Sequence, residues 1–297
     1  GGSMALKVGF IGLGIMGVPM ARNIVTADFD LLVFNRTAEK TKPLADAGAK
    51  VAASPKAVAE SVDVVILMLS DPPAIEDVLQ GTEGLLAGMR DGQVLVNMST
   101  VSPAYSLQLA DTLAAQSVIA VDAPVSGSRK PAEEGALVIL AGGPEDKIAE
   151  LEPLFLTMGK KVVYCGEAGK GSAMKMAVNL LLGTVTAGLC EAVNLGQKCG
   201  LDTETILNTI LAGPMGCGLY ELKKPMLIDD SYATQFPLKH MTKDLRFALQ
   251  TADEKGATAP IGSAIFQIYR QSMGHGLGDQ DFAAVKKIIE TMSDKKE

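Results

Sequence analysis

The stretch Phe10-Ile11-Gly12-Leu13-Gly14-Ile15-Met16-Gly17 constrains the fold of this chain more than any other. Leu6, Val8, Phe10 and Ile11 read as a buried strand, and Met16, Met20, Ile24 and Val25 recur at helical spacing behind the glycines. Gly12, Gly14 and Gly17 stand at the G-x-G-x-x-G spacing, which is informative in this strand-turn-helix setting and weak outside it. The first glycine permits a tight turn, the second lets backbone approach a pyrophosphate, and the third lets the helix pack on the sheet. An anion then sits on a helix N-terminus, whose free N–H groups and dipole favour it. The loop from Gly12 through Leu13, Gly14, Ile15 and Met16 to Gly17 is the expected pyrophosphate site.

A second strand, Leu31 to Phe34, ends at Asn35-Arg36-Thr37. Sites selective for NAD usually place Asp or Glu there, on the ribose 2′-hydroxyl. A carboxylate would repel a 2′-phosphate, whereas Asn35 can donate to it, Arg36 can pair with it or stack on adenine, and Thr37 adds a hydroxyl. NADPH is therefore expected over NADH. The bland alternative makes Arg36 a solvated turn residue ahead of the next helix.

With 297 residues and 47% apolar content the chain suits two domains. A net charge of −7 argues against nucleic acid or an anionic membrane as partner, and the absence of Trp against base-stacking platforms. Cys165, Cys190, Cys199 and Cys217 form no C-x-x-C pair and have no histidine at metal-ligand spacing, as expected for reduced, mostly buried thiols of a cytoplasmic protein without a metal. Gly1-Gly2-Ser3 before Met4 resembles a remnant of recombinant expression, and no export leader follows it. The apolar run Met176 to Cys190 is shorter than the roughly 20 residues of a membrane span and contains Asn179, so a core helix is expected.

Further strands are expected at Asp63–Leu69, Val94–Met98, Val118–Val121, Leu137–Ala141 and Val162–Cys165, with helices at Glu39–Ala47, Ala74–Leu79, Pro103–Ala115 and Glu145–Thr157. Such alternation predicts an α/β, Rossmann-type, doubly wound and mainly parallel sheet with crevices at the carboxyl ends of its strands. Two of these ends, at Leu69-Ser70 and at Asn97 to Thr100, offer small polar groups to a cofactor's ribose and nicotinamide. Beyond Gly166 strand signals stop, which predicts a cofactor-binding domain over 4–166 and an all-α domain over 167–297, with Ser293 to Glu297 a fraying tail.

Gly171, Lys175 and Asn179 lie four apart, hence on one helical face, in a segment apolar nearly all round, where Gly171 is expected to leave room for a ligand beside Lys175 and Asn179. A lysine there is costly without a job or a partner, although a long side chain can also snorkel from a core helix to solvent.

Four motifs in order, the glycine-rich opening, Asp122-Ala123-Pro124-Val125-Ser126-Gly127, Gly171-x-x-x-Lys175-x-x-x-Asn179 and Lys243-Asp244-Leu245, resemble the β-hydroxyacid dehydrogenase family over essentially the whole chain. Asn35-Arg36-Thr37, Met68 to Pro72, Ser126 to Glu133 and Phe236 to His240 are most similar to the subgroup of glyoxylate and succinic semialdehyde reductases. Much of the wider family has a second glycine where this chain has Ser128.

The resemblance implies that Lys175 is the catalytic acid, protonating a developing alkoxide while NADPH delivers hydride, with Asn179 holding the oxygen or the lysine. A lowered lysine pKa would help, through burial and a second cation such as Lys243. It further implies that Ser126, Gly127 and Ser128 grip a substrate carboxylate, Thr100 touches cofactor and substrate, Phe236 forms an apolar wall, and Lys243 and Asp244 close over the nicotinamide. His240 and His275 are expected to be structural, and Arg129 and Lys130 either steer an anionic substrate or are plain loop charges. The implied activity is NADPH-dependent reduction of succinic semialdehyde or glyoxylate, and the apolar helix of the second domain suggests burial between domains or between the subunits of a homodimer or homotetramer. The rivals are an NAD-dependent 3-hydroxyisobutyrate-type dehydrogenase, a non-catalytic cofactor-binding scaffold and, more weakly, an imine reductase, a class that usually replaces the lysine.

Overall fold

The computed structural model describes residues 5–295, so Gly1-Gly2-Ser3, Met4, Lys296 and Glu297 lie outside the described residues. The chain forms two compact units, 1–175 and 176–297.

In the first unit the strands are β1 (Lys7–Ile11), β2 (Asp30–Phe34), β3 (Lys50–Val51), β4 (Val64–Leu67), β5 (Val94–Asn97), β6 (Ile119–Asp122), β7 (Val125–Ser126), β8 (Leu137–Gly142) and β9 (Gly159–Gly166). Between them run α1 (Gly17–Thr26), α2 (Lys42–Asp46), α3 (Pro55–Ser61), α4 (Pro72–Leu79), α5 (Leu85–Gly88), α6 (Pro103–Ala114), α7 (Arg129–Glu133) and α8 (Glu145–Met158). The sheet order is β3-β2-β1-β4-β5-β6-β8-β7, with β9 on β8. Strands β3 to β6 of that order are mutually parallel, and β8 is antiparallel to β6 and β7. This is the doubly wound order, whose ligand crevice lies where the winding reverses, between β1 and β4.

Alternation along each strand divides the core between the two faces of the sheet. Val8, Phe10, Val64, Ile66, Val94 and Val96 enter one cluster, while Ile11, Val65, Leu67 and Leu95 enter the other. Ser54, Asp71 and Ser102 each cap a helix that opens on proline, accepting N–H bonds from Ala57, Ala74 and Tyr105. The helix expected from Ala74 accordingly starts at Pro72, and that expected from Glu39 is a 3₁₀ turn, Ala38–Thr41, running into α2.

Helix α9 (Lys170–Lys198) starts in the first unit and continues into the second, which adds α10 (Thr203–Ala212), α11 (Gly218–Asp229), α12 (Leu238–Lys255), α13 (Pro260–Gly274) and α14 (Val285–Met292). At 29 residues α9 is long and apolar enough to cross a membrane by length and composition, so the short apolar run seen in the sequence does not settle its nature. Its Ala187, Leu189, Cys190 and Val193 belong to the second unit's core, with Leu238, Met241, Leu245 and Tyr269. One sequence expectation fails. Cys199 and Cys217 are exposed and only Cys190 is fully buried. The tail is tethered at its start, where Ser293 accepts from Asn194 at 2.9 Å and Lys198 donates to the Asp294 carbonyl.

Candidate functional site

Pairing in the sheet sets Phe34, Ile11, Leu67, Asn97 and Asp122 side by side at the carboxyl ends of β2, β1, β4, β5 and β6. The residues that follow these ends are therefore brought to one edge, and they include most of the candidates named from the sequence.

Gly12 leaves β1 at φ +107°, and a Cβ there would stand 2.1 Å from the Met68 carbonyl oxygen. A Cβ on Gly17 would lie 1.9 Å from the Gly12 carbonyl oxygen, so the start of α1 presses directly on the loop. At Gly14, by contrast, a Cβ would meet nothing within 4 Å. That open ground faces the first turn of α1, which has no acidic residue and, unlike α3, α4 and α6, no side-chain cap. Its N–H groups are left for an anion.

The same loop borders a cavity of about 300 Å³ that gathers Gly12, Leu13 and Gly14 with Asn35, Arg36 and Thr37 and with Leu69 and Ser70. Ile15, Met16 and Gly17 do not line it. Asn35 has a use that the sequence did not disclose: it accepts the Leu13 N–H at 2.9 Å and donates to the Thr37 carbonyl at 3.0 Å. Lys40, overlooked in the sequence, lines the cavity too. Its signal was available, since it stands four residues after Arg36. An adjoining cavity of about 390 Å³ shares Phe34, Arg36, Asp77 and Val78. The open cradle at Gly14, the uncapped helix and the paired cations fit a dinucleotide phosphate.

Farther along the edge, Leu69 donates its N–H to Ser99 Oγ at 2.8 Å and Ser99 donates its own to Asn97 Oδ1 at 3.1 Å. The Asn97 Nδ2 is buried with no hydrogen-bond partner in the protein, and Thr100, half-buried, follows. Asp122, also missed as a site residue, accepts the N–H of Gly169 on one oxygen and that of Ser172 on the other, both at 2.8 Å, and so caps α9 from a strand some fifty residues away. Burial raises its carboxyl above the ordinary value, against the pull of these two N–H donors. The start of α9 has no room for a side chain: a Cβ on Gly171 would sit 2.3 Å from the Leu140 carbonyl oxygen and 2.7 Å from that of Asp122. Gly171 thus serves these contacts, whereas the sequence had suggested that it leaves space for a ligand.

One turn after Gly171, Lys175 is 7% exposed and its Nζ donates to the Val125 carbonyl at 2.6 Å. Its ammonium is held at the head of the Ser126-Gly127-Ser128 loop, where Gly127 takes φ +125°. Arg129 pairs with Glu133 at 2.9 Å on the exposed side of the short helix that follows.

In the second unit Asn179, fully buried, donates from Nδ2 to Asp244 Oδ2 at 2.7 Å, and its Oδ1 has no hydrogen-bond partner in the protein. Lys243 Nζ lies 3.7 Å from Asp244 Oδ1. Phe236 is half-buried with its ring edge-on to Phe282 at 5.6 Å, and the His240 ring lies 6.3 Å from it. His275 is bonded through Nδ1 to the Gln271 carbonyl at 2.8 Å.

Two family models match the chain. Residues 7–166 match the NAD binding domain of 6-phosphogluconate dehydrogenase, and residues 169–289 match the NAD-binding domain of NADP-dependent 3-hydroxyisobutyrate dehydrogenase. Among characterised proteins it is 39% identical to glyoxylate/succinic semialdehyde reductase 2, chloroplastic, of Arabidopsis thaliana, over 96% of this chain and 79% of that one. Glyoxylate/succinic semialdehyde reductase 1 of the same plant is 37% identical, over 96% and 98%. The solved 3-hydroxyisobutyrate dehydrogenase of Mycobacterium tuberculosis, determined with L-serine, superposes with a TM-score of 0.86 at 28% identity, covering 98% of this chain and all of that one.

Proposed function

The chain belongs to the β-hydroxyacid dehydrogenase family of NAD(P)-binding oxidoreductases acting on CH–OH groups, and from that premise we propose that it reduces short aldehyde or keto acids with NADPH. Succinic semialdehyde, giving 4-hydroxybutyrate, and glyoxylate, giving glycolate, are the substrates proposed.

The observation that carries this proposal is the buried Lys175 ammonium bonded to the Val125 carbonyl, immediately before the Ser126-Gly127 loop. Burying an ammonium is costly unless it is satisfied, and this one is held beside hydroxyl and N–H groups suited to a carboxylate. When bound, the nicotinamide cofactor supplies the hydride that adds to the carbonyl carbon. Lys175 passes a proton to the carbonyl oxygen, so one hydride and one proton convert aldehyde to alcohol, and the neutral amine is reprotonated from water. Asn179 presents Oδ1 as an acceptor, because Asp244 holds its amide nitrogen. That polarity suits a donor, either the Lys175 ammonium or the product hydroxyl. Preference for NADPH is supported by Arg36, Thr37 and Lys40 around one cavity and by the lack of a carboxylate at the end of β2.

Following NADPH absorbance with each substrate, for the unmodified protein and for Lys175→Ala, tests the proposal. Removing a general acid should lower kcat by about a hundredfold or more while the NADPH dissociation constant stays the same. A variant that keeps its full rate refutes the role of Lys175. Faster turnover of 3-hydroxyisobutyrate with NAD moves the assignment to that dehydrogenase class, and NADPH binding without turnover of any short acid points to a binding scaffold.

A further inference from the structure

Lys223 is 2% exposed and Asp281 is fully buried, and they form an ion pair of 2.7 Å in the core of the second unit. Neither was singled out by sequence pattern, and the proton transfer proposed above does not use them. A carboxylate has about four lone-pair positions, and in Asp281 four donors are in place. Oδ1 accepts the N–H of Gln235 at 3.1 Å and of Phe236 at 3.0 Å, while Oδ2 accepts Lys223 Nζ and the N–H of Ala283 at 3.0 Å.

The two segments are stitched together further by backbone. Asp281 donates its N–H to the Tyr232 carbonyl, and Phe282 donates to the Phe236 carbonyl at 3.0 Å. Lys223 also lies over the Phe282 ring, 4.3 Å from its centroid, and that ring meets Phe236 edge-on. A single ammonium therefore touches the carboxylate that fixes the Phe236 backbone and the ring that abuts the Phe236 side chain. Phe236 itself remains half-buried, an aromatic face presented from a segment outside any helix or strand.

Buried ion pairs are poor sources of stability, since apolar groups of similar volume often replace them without loss. What this pair provides, and an apolar pair would not, is a charged acceptor matched to two consecutive backbone N–H groups. We infer that Lys223 and Asp281 are positioning residues that hold Phe236 as a fixed wall for the carbon chain of the substrate. This inference depends on the proposed function together with the apolar-wall role that the family resemblance implies for Phe236.

The test is initial-rate kinetics on the NADPH-loaded protein with succinic semialdehyde, comparing Lys223→Gln, Lys223→Arg, Phe236→Ala and the double variant Lys223→Gln with Phe236→Ala. Lys223→Gln should raise KM about tenfold with kcat within about twofold, the signature of lost uniform binding, and leave the NADPH dissociation constant, read by cofactor fluorescence, unchanged. Lys223→Arg should restore KM, and the double variant should be no worse than Phe236→Ala, because both changes remove the same wall. If Lys223→Gln does not fold, Phe282→Leu, which removes the ring between Lys223 and Phe236, should raise KM in the same way. Unchanged KM in the folded Lys223→Gln or Phe282→Leu variant, with Phe236→Ala impaired, overturns the positioning role alone. Additive losses in the double variant overturn it too. An unchanged KM in Phe236→Ala overturns the wall and with it this inference, while the proposed function is decided separately by Lys175→Ala.

Discussion

The Asn35 side chain ties the phosphate loop to the end of β2, accepting the Leu13 N–H at 2.9 Å while its own amide donates to the Thr37 carbonyl. The residue that replaces the usual carboxylate is thus a brace, and the proposed preference for NADPH rests mainly on the cations beside it. Asn35→Asp keeps an acceptor for Leu13, loses the donor to Thr37 and adds a negative charge beside Arg36 and Lys40. Charge-assisted bonds to phosphate carry about 1.5–3 kcal/mol, so the NADPH dissociation constant should rise about tenfold or more and that of NADH much less. Fluorescence titration with both cofactors checks this, and an equal loss for the two would assign Asn35 to the fold alone.

Two glycines of the same loop should respond oppositely to alanine. At Gly12 the positive φ and the Met68 carbonyl at 2.1 Å from an added Cβ oppose any side chain, so Gly12→Ala should lower stability by at least about 2 kcal/mol. Gly14→Ala meets no protein atom and should change stability by less than about 1 kcal/mol. Its methyl nevertheless occupies the ground in front of α1, so NADPH affinity should drop about tenfold or more. Urea denaturation and cofactor titration of both variants separate the two effects.

The division between what could be read in the chain and what could not follows contact distance. β1, β2, β4 and β5 were legible because each is a run of apolar residues bounded by turn signals, and Lys175 with Asn179 because helical spacing puts them on one face. β3 and β7, with two residues each, are too short for a period to register. α3 was missed despite its Ser54-Pro55 opening, a local signal that deserved weight. Asp122 capping α9, Lys223 meeting Asp281 and Asn35 bracing Leu13 join residues 22 to 58 positions apart, and no local pattern encodes such pairs.

The thiols offer a probe of the second unit's core. Burial pushes the Cys190 thiol up to about 12, and its side chain is wholly enclosed, whereas Cys199 and Cys217 are exposed. At pH 8 the thiolate fraction of such a group is about one in ten thousand. Iodoacetamide should therefore label Cys199 and Cys217 in the native protein and reach Cys190 only after denaturation, as peptide mass spectrometry would read. Early labelling of Cys190 would mean that the core around α9 opens readily.

Asp122 joins the sheet to the start of the helix that carries Lys175, and replacing it isolates the charge from the shape. Asn in its place accepts one of the two N–H groups of Gly169 and Ser172 but turns an amide donor toward the other. The expected cost is about 1–3 kcal/mol, the penalty of a buried donor left without an acceptor. Burial raises the folded-state carboxyl above its ordinary value near 3.9, so the native state binds this proton more tightly than the unfolded chain does. The resulting stabilisation is complete below the unfolded value and is lost as pH rises through the folded one. Across that window the stability advantage of the unmodified protein over Asp122→Asn should shrink as pH rises, then level off with a remainder set by the two N–H bonds. Urea denaturation of both proteins from about pH 3.5 to 7 measures the difference. An advantage that grows with pH would mean that the helix N-terminus outweighs burial and holds the carboxyl below its ordinary value.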